Sequence, residues 1–201
     1  MDINFPSGVA NVKLAILNTA QKSEKRRLQL IKQNIPCKSG CSACCSRYIL
    51  VSVAESLVIY HDLVQKGTWE SVRVRASRQI QLLKNAQPLA WFKLNQKCPV
   101  LDPESEKCLA WETRPPVCST HFVSSDPKLC DPWGSGSGQY VPINMDDLYE
   151  EFQRKLALEL AEFGILSLRV ALPIGLLLAE RINVRSSLDL DKVISLMFHE
   201  F

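Results

Sequence analysis

Four of the chain's eight cysteines fall within nine residues, Cys37-Lys38-Ser39-Gly40-Cys41-Ser42-Ala43-Cys44-Cys45, and nothing else in the 201 residues restricts the fold as sharply. Spacings of three and two residues let the backbone double back so that several sulfurs face one point. Gly40, with the small Ser39, Ser42 and Ala43 around it, lets the chain wrap closely. Thiols this crowded repel one another when ionised and oxidise when left free. A bound cation or cluster removes both difficulties.

The other four cysteines are Cys98, Cys108 and Cys118, spaced CX9CX9C, followed by Cys130. Asp102-Pro103-Glu104-Ser105 is a turn sequence that would fold Cys108 back beside Cys98 as a short hairpin. Free cysteines also pack well as small apolar residues, so burial without ligation stays open for these four, most of all for Cys130. From Cys98 to Tyr140 prolines and glycines leave little room for regular structure. An irregular stretch of that length needs an anchor, and the sequence offers none more obvious than metal on its thiols.

The flanks read as helices. Val9 to Asn34 places Val9, Val12, Ile16, Ala20, Leu30 and Ile31 at helical spacing, with Pro36 as the stop. Ser52 and Glu55 form a capping box ahead of Leu57-Val58-Ile59, with Gly67 at the far end. Thr68 opens a helix with Trp69, Val72, Ala76, Ile80 and Leu83 on one face, ended by Pro88. Asp146 and Asp147 suit a first helical turn, Gly164 its stop, and Pro173 the start of a helix ending near Asn183. A last short helix is expected over Leu188 to Phe198. The predicted fold is therefore mainly α: a single helical domain over 1–201, its irregular cysteine-rich centre organised by bound metal, with a C-terminal helical part over 144–201.

Charge supports two halves drawn together. Residues 1–100 hold 15 Lys and Arg against 5 Asp and Glu, while residues 101–201 hold 9 against 16. The basic run Lys22 to Arg27 and Arg73, Arg75 and Arg78 lack interleaved aromatics, which argues against nucleic acid as a partner. Gly164 to Glu180 is apolar but too short and too interrupted to span a membrane, so no membrane partner is expected. Met1-Asp2-Ile3-Asn4-Phe5-Pro6 lacks the basic-then-apolar pattern of a secretory signal, and the expected location is the cytoplasm. There cysteines at motif spacing serve as metal ligands more often than as disulfides.

Two lookalikes fail. Cys37, Cys41 and Cys44 match the CxxxCxxC of radical S-adenosylmethionine enzymes, but Ala43 replaces the usual aromatic and helices, not β/α units, follow. Disulfide-stapled CX9C hairpins need continuous helices, which Pro99, Pro103, Pro115 and Pro116 break.

The cysteine runs, the helix entry Val51-Ser52-Val53-Ala54-Glu55, Cys98-Pro99-Val100-Leu101, and Cys108-Leu109-Ala110-Trp111-Glu112-Thr113-Arg114-Pro115-Pro116-Val117-Cys118 together resemble the YkgJ-type cysteine-cluster family of zinc- or iron-chelating domains, over residues 37–122. One departure is Ser119, where that family usually has an arginine. The resemblance implies iron, as an iron–sulfur cluster, or zinc on these cysteines, and implies no particular reaction.

The candidate ligands are thus Cys37, Cys41, Cys44, Cys45, Cys98, Cys108, Cys118 and Cys130. Four thiolates on Zn²⁺ or on a [4Fe–4S]²⁺ core leave a net charge of −2, which favours nearby cations and N–H donors. Arg114, held by Glu112 and stiffened by Pro115-Pro116, is the expected neighbour, and His121 a further one. Lys38 and Arg47 read as solvated, His61 as structural. The adjacent Cys44-Cys45 pair is awkward for one tetrahedral ion and leaves open two sites, one larger cluster, or one ligand beside a packed thiol. Softness admits both metals. The expectation is an iron–sulfur or iron protein with a redox or metal-handling role and a redox or other protein partner. The alternative is a zinc-stapled interaction module without catalysis.

Overall fold

Apolar residues at helical spacing build most of what the computed structural model describes, which is residues 7–30, 35–84, 96–133, 139–161 and 167–184. The chain is mainly helical. Helix α1 is Ser7–Gln29, α2 Val53–Gln65, α3 Trp69–Lys84, α4 the single turn Pro116–Ser119, α5 Asp146–Leu160 and α6 Leu172–Val184. Four short strands accompany them: β1 Leu50–Ser52, β2 Phe122–Val123, β3 Pro142–Ile143 and β4 Arg169–Ala171.

Helix α2 lies at the centre, packed against α6, α1 and α3. Its capping box forms as expected. Ser52 Oγ accepts from the Glu55 N–H at 3.1 Å, and Glu55 Oε2 accepts from the Ser52 N–H at 2.7 Å. Leu57, Val58, Ile59 and Leu63 are buried, and Leu176, Leu178 and Ala179 of α6 complete the same core. Gly175 permits the close approach of α6 to α2. A Cβ there would stand 2.2 Å from Ser56 Oγ, far inside van der Waals contact.

The expected faces hold with informative differences. Trp69, Val72, Ala76 and Ile80 are buried on α3, while Leu83 and Pro88 lie outside what is described of side chains and backbone respectively. On α1 the buried stripe runs Val9, Val12, Ile16 and then Thr19 and Ser23 rather than Ala20. Thr19 Oγ1 donates to Ala15 O at 2.9 Å and Ser23 Oγ to Thr19 O at 2.8 Å. Hydroxyls bonded back to the preceding turn can be buried like small apolar groups. The helix expected to reach Asn34 is described to Gln29, with 31–34, Gly164 and Leu188 to Phe198 outside the described residues.

A helix-only reading missed the ladder β1–β4. It is antiparallel, with Leu50 opposite Ala171, Val51 opposite Val170 and Ser52 opposite Arg169. Each strand runs straight into a helix, β1 into α2 and β4 into α6, so the antiparallel ladder sets the two helix starts at its opposite ends, Val53 N–H bonded to Leu168 O and Leu172 N–H to Ile49 O. Three residues are too few to show a period of two in sequence. Strand β2 pairs with β3, Phe122 opposite Ile143, and a second small apolar cluster of Phe122, Met145 and Leu148 sits there.

The two oppositely charged halves do meet. Lys22 Nζ lies 2.8 Å from Glu151 and Arg26 Nη1 2.5 Å from Asp147, joining α1 to α5. No described helix is long and apolar enough to cross a membrane.

Candidate metal centre

The first cysteine run is built as a pair of turns. Cys41 N–H donates to Lys38 O at 2.9 Å, closing a turn in which Gly40 takes φ +92°, open only to glycine without strain. A 3-10 turn over Ala43–Ser46 then carries Cys44 and Cys45. Cys37 lies apart, its sulfur accepting from the Val123 N–H of β2 at 3.4 Å.

The second group folds onto the first. Cys98 N–H donates to Cys45 O at 2.6 Å. The predicted hairpin is present: Asp102 N–H bonds to Lys107 O at 2.9 Å, Leu109 N–H to Val100 O at 3.0 Å, and Leu101 bridges to Cys108. Pro115 and Pro116 open α4, which presents Cys118. Cys130 ends a 3-10 turn over Pro127–Cys130 that packs on the Ala43–Ser46 turn.

Metal is not the only anchor of this irregular segment, contrary to the sequence reading. From α3, Arg75 Nε donates to Pro99 O at 2.8 Å and Gln79 Nε2 to Lys97 O at 2.5 Å. From the end of α2, Lys66 Nζ donates to Leu109 O at 3.0 Å, and Asp62 accepts from Thr113 Oγ1 at 2.9 Å. Long polar side chains on neighbouring helices clamp the loop's carbonyls. Sequence could not show which carbonyls they would reach.

Cys41, Cys44, Cys45, Cys98, Cys108 and Cys118 line one cavity of about 90 Å³, with Trp111 and Arg114 in its wall. Burial, and then the neighbouring Cys108 and Cys44 sulfurs, push Cys98 up to about 12. Burial with Cys44, Cys98 and Cys108 raises Cys118 well above an ordinary thiol. Cys44 and Cys45 share a hydrogen bond. That bond first, and Arg47 after burial, lower Cys44, while the same bond and burial raise Cys45. Burial raises Cys37, and burial with Cys44 and Cys37 nearby raises Cys130 to about 11.

Arg114 is 9% exposed, its guanidinium carbon 3.6 Å from the Trp111 ring centroid, and its buried Nε has no hydrogen-bond partner among the described residues. Glu112 does not hold it. That carboxylate is exposed and accepts from Lys66 Nζ at 3.2 Å, so the Trp111 ring, not Glu112, seats the arginine. Arg47 is not simply solvated either. It stacks 4.5 Å over Tyr140, donates to the Tyr140 hydroxyl at 3.0 Å and to Cys130 O at 3.4 Å. Its place two residues after Cys45 was the only signal.

Ser119, where the resemblance leads one to expect arginine, is fully buried with no partner for Oγ among the described residues, and Arg114 and Arg47 are the arginines in the cavity wall. His121 lies outside the cavity lining, edge-on to Tyr140 at 5.5 Å, its Nε2 buried without a hydrogen-bond partner among the described residues. Burial, then Arg47, holds its imidazole toward the neutral form. His61 is buried on α2, as expected of a structural residue.

Residues 36–134 match the CxxCxxCC family, described as a "putative zinc- or iron-chelating domain". That cysteine-rich segment belongs to the CxxCxxCC family. Neither the curated proteins nor the solved structures contain a match to the chain. The family name has two residues between its first two cysteines and this chain has three, Lys38, Ser39 and Gly40. The turn at Gly40 accommodates the third.

The CxxCxxCC donor set fits a soft cation. Burial and mutual repulsion hold most of these thiols protonated, and a metal ion removes that penalty by taking the thiolates. Arg114 Nε, without a hydrogen-bond partner among the described residues, is a donor suited to a thiolate, and the backbone N–H groups of Val100 and Ala110 lie near the Cys98 and Cys108 sulfurs and favour their thiolates. Among the described residues no three Cys, His, Asp or Glu side chains stand close enough together to hold an ion, so ligation would require the sulfurs to move inward across the cavity.

Proposed function

We propose that the zinc- or iron-chelating domain of this chain holds an iron–sulfur cluster or iron, for a redox or metal-handling role, on ligands drawn from Cys37, Cys41, Cys44, Cys45, Cys98, Cys108, Cys118 and Cys130. The observation that carries the reading is the thiol-lined cavity in which cysteines from both sequence groups meet beside the buried Arg114, whose Nε has no hydrogen-bond partner among the described residues. Bound there, an iron centre would supply one-electron chemistry on soft ligands. The chain's own part is to deliver thiolates, to offset their charge with Arg114 and Arg47, and to keep bulk water out with Trp111 and the proline-stiffened turn Pro115-Pro116. A redox partner protein is the interaction this role requires.

A second reading has its own support. The N–H groups of Val100 and Ala110 approach the sulfurs of the residues two before them, which is how a hairpin stabilises thiolates on a single ion. Zinc in that position would staple the fold as an interaction module without catalysis. Anaerobic purification of the full chain separates the two. Brown protein with iron and acid-labile sulfide supports the first, and colourless protein with stoichiometric zinc supports the second.

A further inference from the structure

We propose that the eight thiols form two separate four-sulfur metal centres set back to back: an inner one of Cys45, Cys98, Cys108 and Cys118, and an outer one of Cys37, Cys41, Cys44 and Cys130. The inference rests on the metal-binding reading above and says how many centres there are and which sulfurs each uses.

The two sets sit on different apolar supports. Cys98 and Cys108 pack on the main core, whereas Cys37 packs on the separate cluster of Phe122, Met145 and Leu148. The inner set is tied together by the Cys98-to-Cys45 backbone bond, the Leu101–Cys108 bridge and the turn presenting Cys118. The outer set is tied by the packing of the Ala43–Ser46 turn on the Pro127–Cys130 turn and by Arg47 reaching Cys130 O. Cys41 and Cys44 also line the cavity where the inner sulfurs meet, whereas Cys37 and Cys130 take no part in it.

Cys44 and Cys45 are the seam. In a 3-10 turn successive side chains leave the axis about 120° apart, so adjacent cysteines are poorly placed on one tetrahedral ion and well placed on two. Four thiolates on a divalent ion carry −2, and two cations, Arg114 over Trp111 and Arg47 over Tyr140, both in the cavity wall, are placed to offset that charge.

Cadmium tests this without regard to the native metal, because it reports thiolate ligation by its charge-transfer band. The reduced full chain, titrated with Cd²⁺, should saturate at two ions per chain. Cys118→Ser and Cys130→Ser should each keep one tightly bound ion, and in Cys130→Ser the inner cysteines should stay protected from alkylation. Saturation at one ion, or at three or more as a bridged cluster requires, would overturn the proposal, as would loss of all tight binding in either variant. If a variant does not fold, the wild-type stoichiometry alone still decides. Failure of the metal-binding reading shows differently: two tight cadmium sites in a chain that purifies without iron or zinc.

Discussion

The amide of Cys98 donates to the carbonyl oxygen of Cys45 across 2.6 Å, so two cysteine groups more than fifty residues apart are joined by backbone before any ligand is considered. That bond joins two residues of the thiol cavity's wall. It also means that a change in one group should be felt in the other.

Replacing Cys108 by Ser should lower metal content and loosen the chain around Cys41. Metal analysis with hydrogen exchange on the same sample checks both. Unchanged metal content together with unchanged protection near Cys41 would count against a shared region.

Arg114→Met keeps bulk over Trp111 but removes the cation facing the thiolates. Metal affinity, read by chelator competition, should fall by about 10–100-fold, the usual cost of losing a group that supports a metal ligand. Arg114→Lys should recover part of that. Equal affinity in all three proteins would show the arginine to be only a packing residue.

Loading should release protons. The folded thiols Cys98 and Cys130 titrate at about 12 and about 11, above the ordinary thiol value, because burial disfavours their thiolates. At pH 7 they are protonated, each must give up its proton to bind, and affinity must rise with pH until those values are passed. Binding followed with a pH indicator between pH 6 and 8 should show protons released and affinity climbing. An affinity flat across that range would contradict the ligand assignment.

Gly175→Ala should destabilise the fold by about 1–3 kcal/mol through overpacking against Ser56. Adding Ser56→Ala removes the nearest atom and should restore part of the loss. A melting temperature unchanged by Gly175→Ala would mean that α2 and α6 lie farther apart than described.

The helices were legible because their signals are local. The Ser52–Glu55 box and the faces of α2 and α3 are patterns within one or two turns, and they appear as the sequence predicts. The strands were not, since β1 and β4 are stretches of three residues whose pairing is set by partners over a hundred residues apart. At the candidate site, the types and spacings of the cysteines announced the chemistry, and the turn at Asp102 announced the hairpin. What seats Arg114 was misread, because Trp111 and Glu112 are equally near it in sequence and only the fold shows that Glu112 turns to Lys66 while the Trp111 ring lies under the guanidinium. Arg47 was passed over for the same reason, as Tyr140 lies 93 residues away.

X-ray absorption at the edge of the metal carried by the purified chain tests the central claim most directly. The account predicts a first coordination shell of sulfur alone, at about 2.3 Å. A shell of oxygen and nitrogen, or a folded chain carrying no metal with every thiol open to alkylation, would contradict it.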